Sequence, residues 1–111
     1  MAITSNLFVD QGSDFSTEIT LQNDDYTAMN LTGYNVYSQF RKSYNSNTGY
    51  SFTCAVVDEL AGKISLSLNG IDSSNIPAGR YLYDVEISSS LSKIRVVEGI
   101  VTINPEITKI P

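Results

Sequence analysis

Histidine is missing from all 111 residues of this chain, and tryptophan is missing with it. Without His, the commonest general base and the commonest metal ligand are both gone. Nucleophilic catalysis would then need a Ser–Lys or carboxylate arrangement, and no spacing suggests either. The single cysteine, Cys54, excludes an internal disulfide. It shares its phase with Phe52 and Val56 and reads as a small buried apolar residue. Basic residues are few, 7 against 12 acidic for a net charge of −5, whereas a nucleic-acid binder needs a basic footprint. No run approaches the ~18–20 apolar residues of a membrane span. The opening Met1 to Gly12 lacks the basic start and long apolar stretch of a secretion signal. Assembly in a cytoplasm is expected, with no nucleic acid and no membrane as partner. A Gly-rich phosphate loop is also missing. The doublets Asp24-Asp25 and Asp58-Glu59 fall in turns but do not fit the spacing of a calcium loop. No enzyme activity, cofactor or metal is expected.

What the chain does have is alternation. Hydrophobic residues make up 41%, ordinary for a single globular domain, and they come in short runs of period two. The clearest is Gly79 to Ile87, where Tyr81, Tyr83, Val85 and Ile87 share one face and Leu82, Asp84 and Glu86 the other. Similar runs cover residues 3–9, 15–21, 34–41, 51–58, 63–69 and 93–103. Tyr37 and Phe40, large residues of opposite phase, suggest a strand covered in part on both faces. In the last run Ile94 and Val96 keep one phase and Val97, Val101 and Ile103 the other, which predicts a β-bulge at Gly99. Residues 72–77 have room for one turn of helix, capped by Asp72 or Ser73. About seven strands with no long helix predict an all-β fold, an immunoglobulin-like antiparallel β-sandwich; a small barrel is the alternative. The Cys–Trp–Cys hallmark of true immunoglobulin domains is absent. Residues 1–104 form the sandwich and 105–111 an extended, proline-bracketed tail.

Candidate contact residues follow from the seven tyrosines, since Tyr joins apolar area to a hydroxyl at interfaces. Tyr26, Tyr44 and Tyr50 lie in or beside predicted loops, whereas Tyr81 and Tyr83 belong to the core. Ile107 and Ile110 are the apolar residues of the tail, and an extended peptide of this kind can add to a partner's sheet edge. Asp84 and Glu86, roughly 7 Å apart on one strand face, read as a solvated face beside Lys93 or Arg95.

Three segments together carry a resemblance. They are Asn6-Leu7-Phe8-Val9-Asp10-Gln11-Gly12-Ser13-Asp14-Phe15; Leu31-Thr32-Gly33-Tyr34 followed by Gln39-Phe40-Arg41-Lys42-Ser43; and Ile76 to Glu86 with Arg95-Val96-Val97-Glu98-Gly99. The chain resembles small virion structural proteins of tailed bacteriophages, especially T4-like phages of cyanobacteria. It is also similar to the amino-terminal β-sandwich of phage baseplate upper proteins, which continue into a helical and receptor-binding region. The resemblance implies a non-enzymatic virion subunit, associated with the tail or baseplate, that connects or decorates larger virion proteins and leaves a homo-oligomer open. The other readings are a capsid decoration protein and a carbohydrate-binding module for host attachment, with Tyr44 and Tyr50 as platforms.

Overall fold

Alternating side chains bury one face of each strand, and two such faces closed on each other make the core. The computed structural model describes residues 3–108. Among them, β1 (Ile3–Thr4), β2 (Leu7–Asp10), β4 (Asn35–Arg41), β5 (Gly49–Ser51), β8 (Gly79–Ser88) and β9 (Lys93–Asn104) form sheet A. Sheet B contains β3 (Phe15–Thr20), β7 (Lys63–Leu68) and β6 (Thr53–Asp58), in that spatial order. The fold is an all-β sandwich, with β4, β8 and β9 facing β3, β7 and β6 as in immunoglobulin-like domains. The pairing is antiparallel except at one edge, where β1 and β2 both run parallel to β9.

The inward phase is the one the alternation predicts. Phe40, Ile64, Leu66, Val85, Ile87 and Val101 are fully buried, and burying a side chain of this size stabilises by roughly 1.5–3 kcal/mol. An aromatic cluster fills one end, with the Phe40 ring 4.8 Å from Phe52, 5.5 Å from Tyr50 and 5.4 Å from Tyr81. The Tyr81 hydroxyl donates to the Pro77 carbonyl just upstream, the tyrosine corner of this sandwich class. Tyr83 donates to the Ser5 carbonyl and so ties the first strands down.

Several local expectations are corrected. Two of the seven predicted strands are each two. Residues 3–9 break at Ser5 and Asn6, and the fourth run breaks at Phe52, where the chain leaves β4 for β7 and changes sheets. Phe52 is the corner, its ring buried and its amide donating to the Ser38 carbonyl at 3.1 Å. The β9 bulge lies at Val96 rather than Gly99: Val85 pairs with Val97 and Glu86 with Arg95. The extra residue turns both Val96 and Val97 inward. Gly99 instead lets Ser5 pass, since a Cβ there would overlap the Ser5 carbonyl. The helix, α1 (Gly70–Ser74), starts earlier than expected and is capped by Asn69, whose side chain accepts from the Asp72 amide at 2.8 Å. Ser73 is buried within it, accepting from the Gly12 amide and donating to the Ser13 carbonyl, each at 3.0 Å. Tyr37 is 59% exposed, so β4 is covered on one face only and the outer face of sheet A stays open.

Candidate binding face

That outer face takes its order from strand register. Across β4, β8 and β9 the outward residues fall in rows: Arg41, Leu82 and Ile100; then Gln39, Asp84 and Glu98; then Tyr37, Glu86 and Arg95. The Val96 bulge is what brings Arg95 onto this face, because it restores the outward phase behind two inward valines. Arg95 Nε lies 3.1 Å from Asp84 Oδ2, and Lys93 Nζ lies 3.5 Å from Glu86 Oε1. Both cations are the ones named from the sequence.

Two adjoining depressions follow the rows. One, of about 260 Å³, is lined by Tyr44, Arg41, Leu82 and Glu98 among others; the second, of about 380 Å³, reaches Tyr37, Ser88 and Lys93. They share Gln39, Asp84 and Glu86, so together they form one groove with a tyrosine at each end. The loop after β4 is held by Arg41, whose guanidinium donates to the Ser46 carbonyl at 3.0 Å and to Gln39 Oε1 at 2.9 Å. The loop that carries Tyr44 is thereby clamped to β4.

Partial burial pushes the Asp84 carboxyl above its ordinary value; the Glu86 charge adds to this, Arg95 opposes it, and Glu98 adds a little more. A raised carboxyl means that the folded chain binds this proton more tightly than the unfolded one. The stability linked to it is present at low pH and lost as pH rises through the folded value. At pH 7 the partly buried charge therefore opposes folding, even with Arg95 beside it. Asp84→Asn is expected to hold or raise the thermal midpoint at pH 7, with the advantage shrinking as pH falls towards 3.8. A drop of more than about 4 °C in a calorimetric scan at pH 7 would show instead that the Arg95 pair dominates.

The residues singled out from sequence separate in space. Tyr44 is 79% exposed at the groove. Tyr26 is 82% exposed but is not part of the groove lining; it lies between β3 and β4 in a left-handed turn (φ 68°). That turn is fixed by Thr27, whose hydroxyl and amide donate to Asp25 and hold its carboxyl below the usual value. Tyr50 lies beside the loop as expected, in β5, but is half-buried with its ring on Phe40 and Tyr81. Ile107 is almost fully exposed, just after Glu106, whose amide donates to Gln11 Oε1 at 3.1 Å. Ile110 lies outside the described residues. Sequence reasoning missed Glu98 and Gln39 as partners of Asp84. Their outward phase on β4 and β9 was the available signal, blurred on β9 by the bulge.

Chemically the face can hydrogen-bond and stack. Among the described residues no cluster of three His, Cys, Asp or Glu has the arrangement to hold a metal ion. Cys54 is half-buried on the inner side of β6, and burial pushes its thiol up, away from the reactive thiolate.

No protein-family model matches the sequence, and no curated protein sequence matches it. Among solved structures, the chain is similar to the crystal structure of Listeria monocytogenes InlP, with 17% identity and a TM-score of 0.52 over 93% of this chain and 28% of that one. It also aligns with a family 123 glycoside hydrolase from Clostridium perfringens, described for glycolipid glycan hydrolysis, at 7% identity and a TM-score of 0.42 over 94% of this chain and 23% of that one. The first likeness is one of fold alone, and the second carries no weight for this chain. The chain spans well under a third of either protein.

Proposed function

We propose that the chain is a non-enzymatic structural subunit of a tailed-bacteriophage particle, seated in the tail or baseplate, where it joins or decorates larger virion proteins. The resemblance of its three motif segments to virion proteins motivates this reading. The observation that carries it is an edge built for docking. Among the described residues β2 is paired on one side only, by β9. Its outward Phe8, in register with Thr102 of β9, is 66% exposed, Ile100 lies two residues before Thr102 on the same strand, and Ile107 follows where the chain leaves β9. Exposed apolar side chains beside an open strand edge suit a partner that adds to the sheet and covers them. Nothing reactive is needed for this role; a rigid sandwich only has to hold its edge and tail in place.

A chain ending at Asn104 keeps every strand of the described residues and removes the tail. Its incorporation into purified particles, followed by mass spectrometry, is expected to fall at least about tenfold, which corresponds to about 1.4 kcal/mol of docking energy. Wild-type incorporation removes the tail from the docking mechanism. Immunogold labelling that marks heads rather than tails would move the subunit to the capsid surface, and particles complete without this chain would end the virion reading.

A further inference from the structure

We propose that the groove across the outer face of sheet A binds a short neutral oligosaccharide, its rings stacked on Tyr44 and Tyr37 and its hydroxyls bonded to Gln39, Asp84 and Glu98. Four observations support this assignment. The first is charge balance. The carboxylates of Asp84, Glu86 and Glu98 are met on the same face by Arg41, Arg95 and Lys93. A floor with as many cations as carboxylates offers little net attraction to either a basic or an acidic ligand.

The second is the mixture of hydrogen-bonding groups. Carboxylates accept, guanidinium and ammonium groups donate, and the Gln39 amide does both. A polyol needs this mixture, since each hydroxyl is donor and acceptor at once. Sugar hydroxyls replace the water lost from these charged groups bond for bond. An apolar protein partner would strand them, and the cost of dehydrating ion pairs is high. Lys, Glu and Asp are accordingly depleted from the cores of protein interfaces. The groove is therefore a different surface from the apolar β2 edge.

The third is the pair of exposed rings. Tyr44 and Tyr37 are 79% and 59% exposed, and an exposed aromatic ring can take the C–H side of a pyranose against its negative π cloud. The fourth is rigidity. Gln39, Asp84 and Glu98 stand side by side on three hydrogen-bonded strands, and Arg41 clamps the Tyr44 loop, so little order has to be gained on binding. Asp84 is already partly stripped of water by the fold, which its upward-shifted carboxyl reports.

The test uses the purified full-length chain, so its outcome is independent of particle incorporation. An array of immobilised oligosaccharides is probed, with neutral hexose and N-acetylhexosamine chains alongside uronic and sulfated ones, and positives are titrated by calorimetry. The expected result is retention on neutral glycans, with an affinity that changes less than about twofold between 50 and 500 mM salt, because no net charge is being screened. Tyr44→Ala and Tyr37→Ala are each expected to weaken it about tenfold, the loss of one stacking ring. Glu98→Ala is expected to weaken it as well, and Ile71→Ala, an exposed change on α1, is expected to leave it alone. Circular dichroism of each variant separates lost binding from lost fold. If Tyr44→Ala does not fold, the array itself and the Tyr37→Ala titration decide. No retained neutral glycan, retention of charged glycans alone that salt abolishes, or undiminished binding by a folded tyrosine variant would each overturn the proposal.

Discussion

Phe40→Ala is expected to destabilise the fold by about 3–5 kcal/mol, the usual cost of removing a fully buried aromatic ring. A domain of this size has about 5–15 kcal/mol in all, so the variant keeps between most and very little of it. The cost arises at one place. Phe40 has no exposed surface, and three rings surround it, those of Phe52, Tyr50 and Tyr81. Phe52 is the corner at which the chain changes sheets, and Tyr81 carries the hydrogen bond to Pro77. Neither has room to collapse into the void, because the backbone holds each one. Urea unfolding should show a lower midpoint with an unchanged slope, and thermal unfolding a midpoint lowered by at least about 12 °C. Tyr37, three residues earlier on the same strand, faces the other way, and Tyr37→Ala should move stability by less than about 1 kcal/mol. Equal losses at the two positions would mean that the outer face of sheet A is buried after all.

The same pair shows how far the alternation could be read. Period two places Phe40 inside and Tyr37 on the opposite face, but not whether that face is covered. Tyr37 suggested cover, and the structure leaves it 59% exposed. Strand existence and inward phase were legible because each rests on local residue order: Ile64, Leu66 and Leu68 in one run, Tyr81 to Ile87 in another. The breaks at Ser5, Phe52 and Val96 were not, because each is set by the partner across the sheet. Phe52 turns where β4 stops being its neighbour and β7 begins, and nothing inside residues 51–58 marks that position. Val96 bulges because Val85 and Glu86 already have their places in β8. The groove had the same mixed legibility. Asp84 and Glu86 with Lys93 and Arg95 followed from phase and proximity. Glu98 needed the position of the bulge, and Tyr44 needed the Arg41 clamp. Tyr81 and Pro77 had the spacing of a tyrosine corner in plain view, a signal for sandwich topology stronger than strand count.

Gly99→Ala tests the parallel edge, the part of the fold that alternation did not foresee. On an unobstructed strand the change from Gly to Ala would stabilise by about 0.5–1 kcal/mol, since Gly loses more freedom on folding. Here the opposite sign is expected, a loss of about 1–3 kcal/mol. A Cβ on Gly99 would overlap the Ser5 carbonyl, and that atom is backbone, with no flexible side chain to swing away. The Ser5 carbonyl also accepts from Tyr83, the Ser5 amide donates to Glu98 at 2.9 Å, and Asn6 Oδ1 accepts from the Ile100 amide at 3.1 Å. Moving Ser5 away breaks this set together and leaves the buried Tyr83 hydroxyl without its acceptor. Hydrogen exchange should quicken at Ser5 and Ile100 while the centre of β8 stays protected. The decisive comparison is a chain beginning at Asn6, where Ser5 is gone and the same substitution should cost much less, leaving an interaction energy of about 1 kcal/mol or more in the double-mutant cycle. Equal costs in the two backgrounds would move the cause from the crossing of Ser5 over β9 to the strand itself.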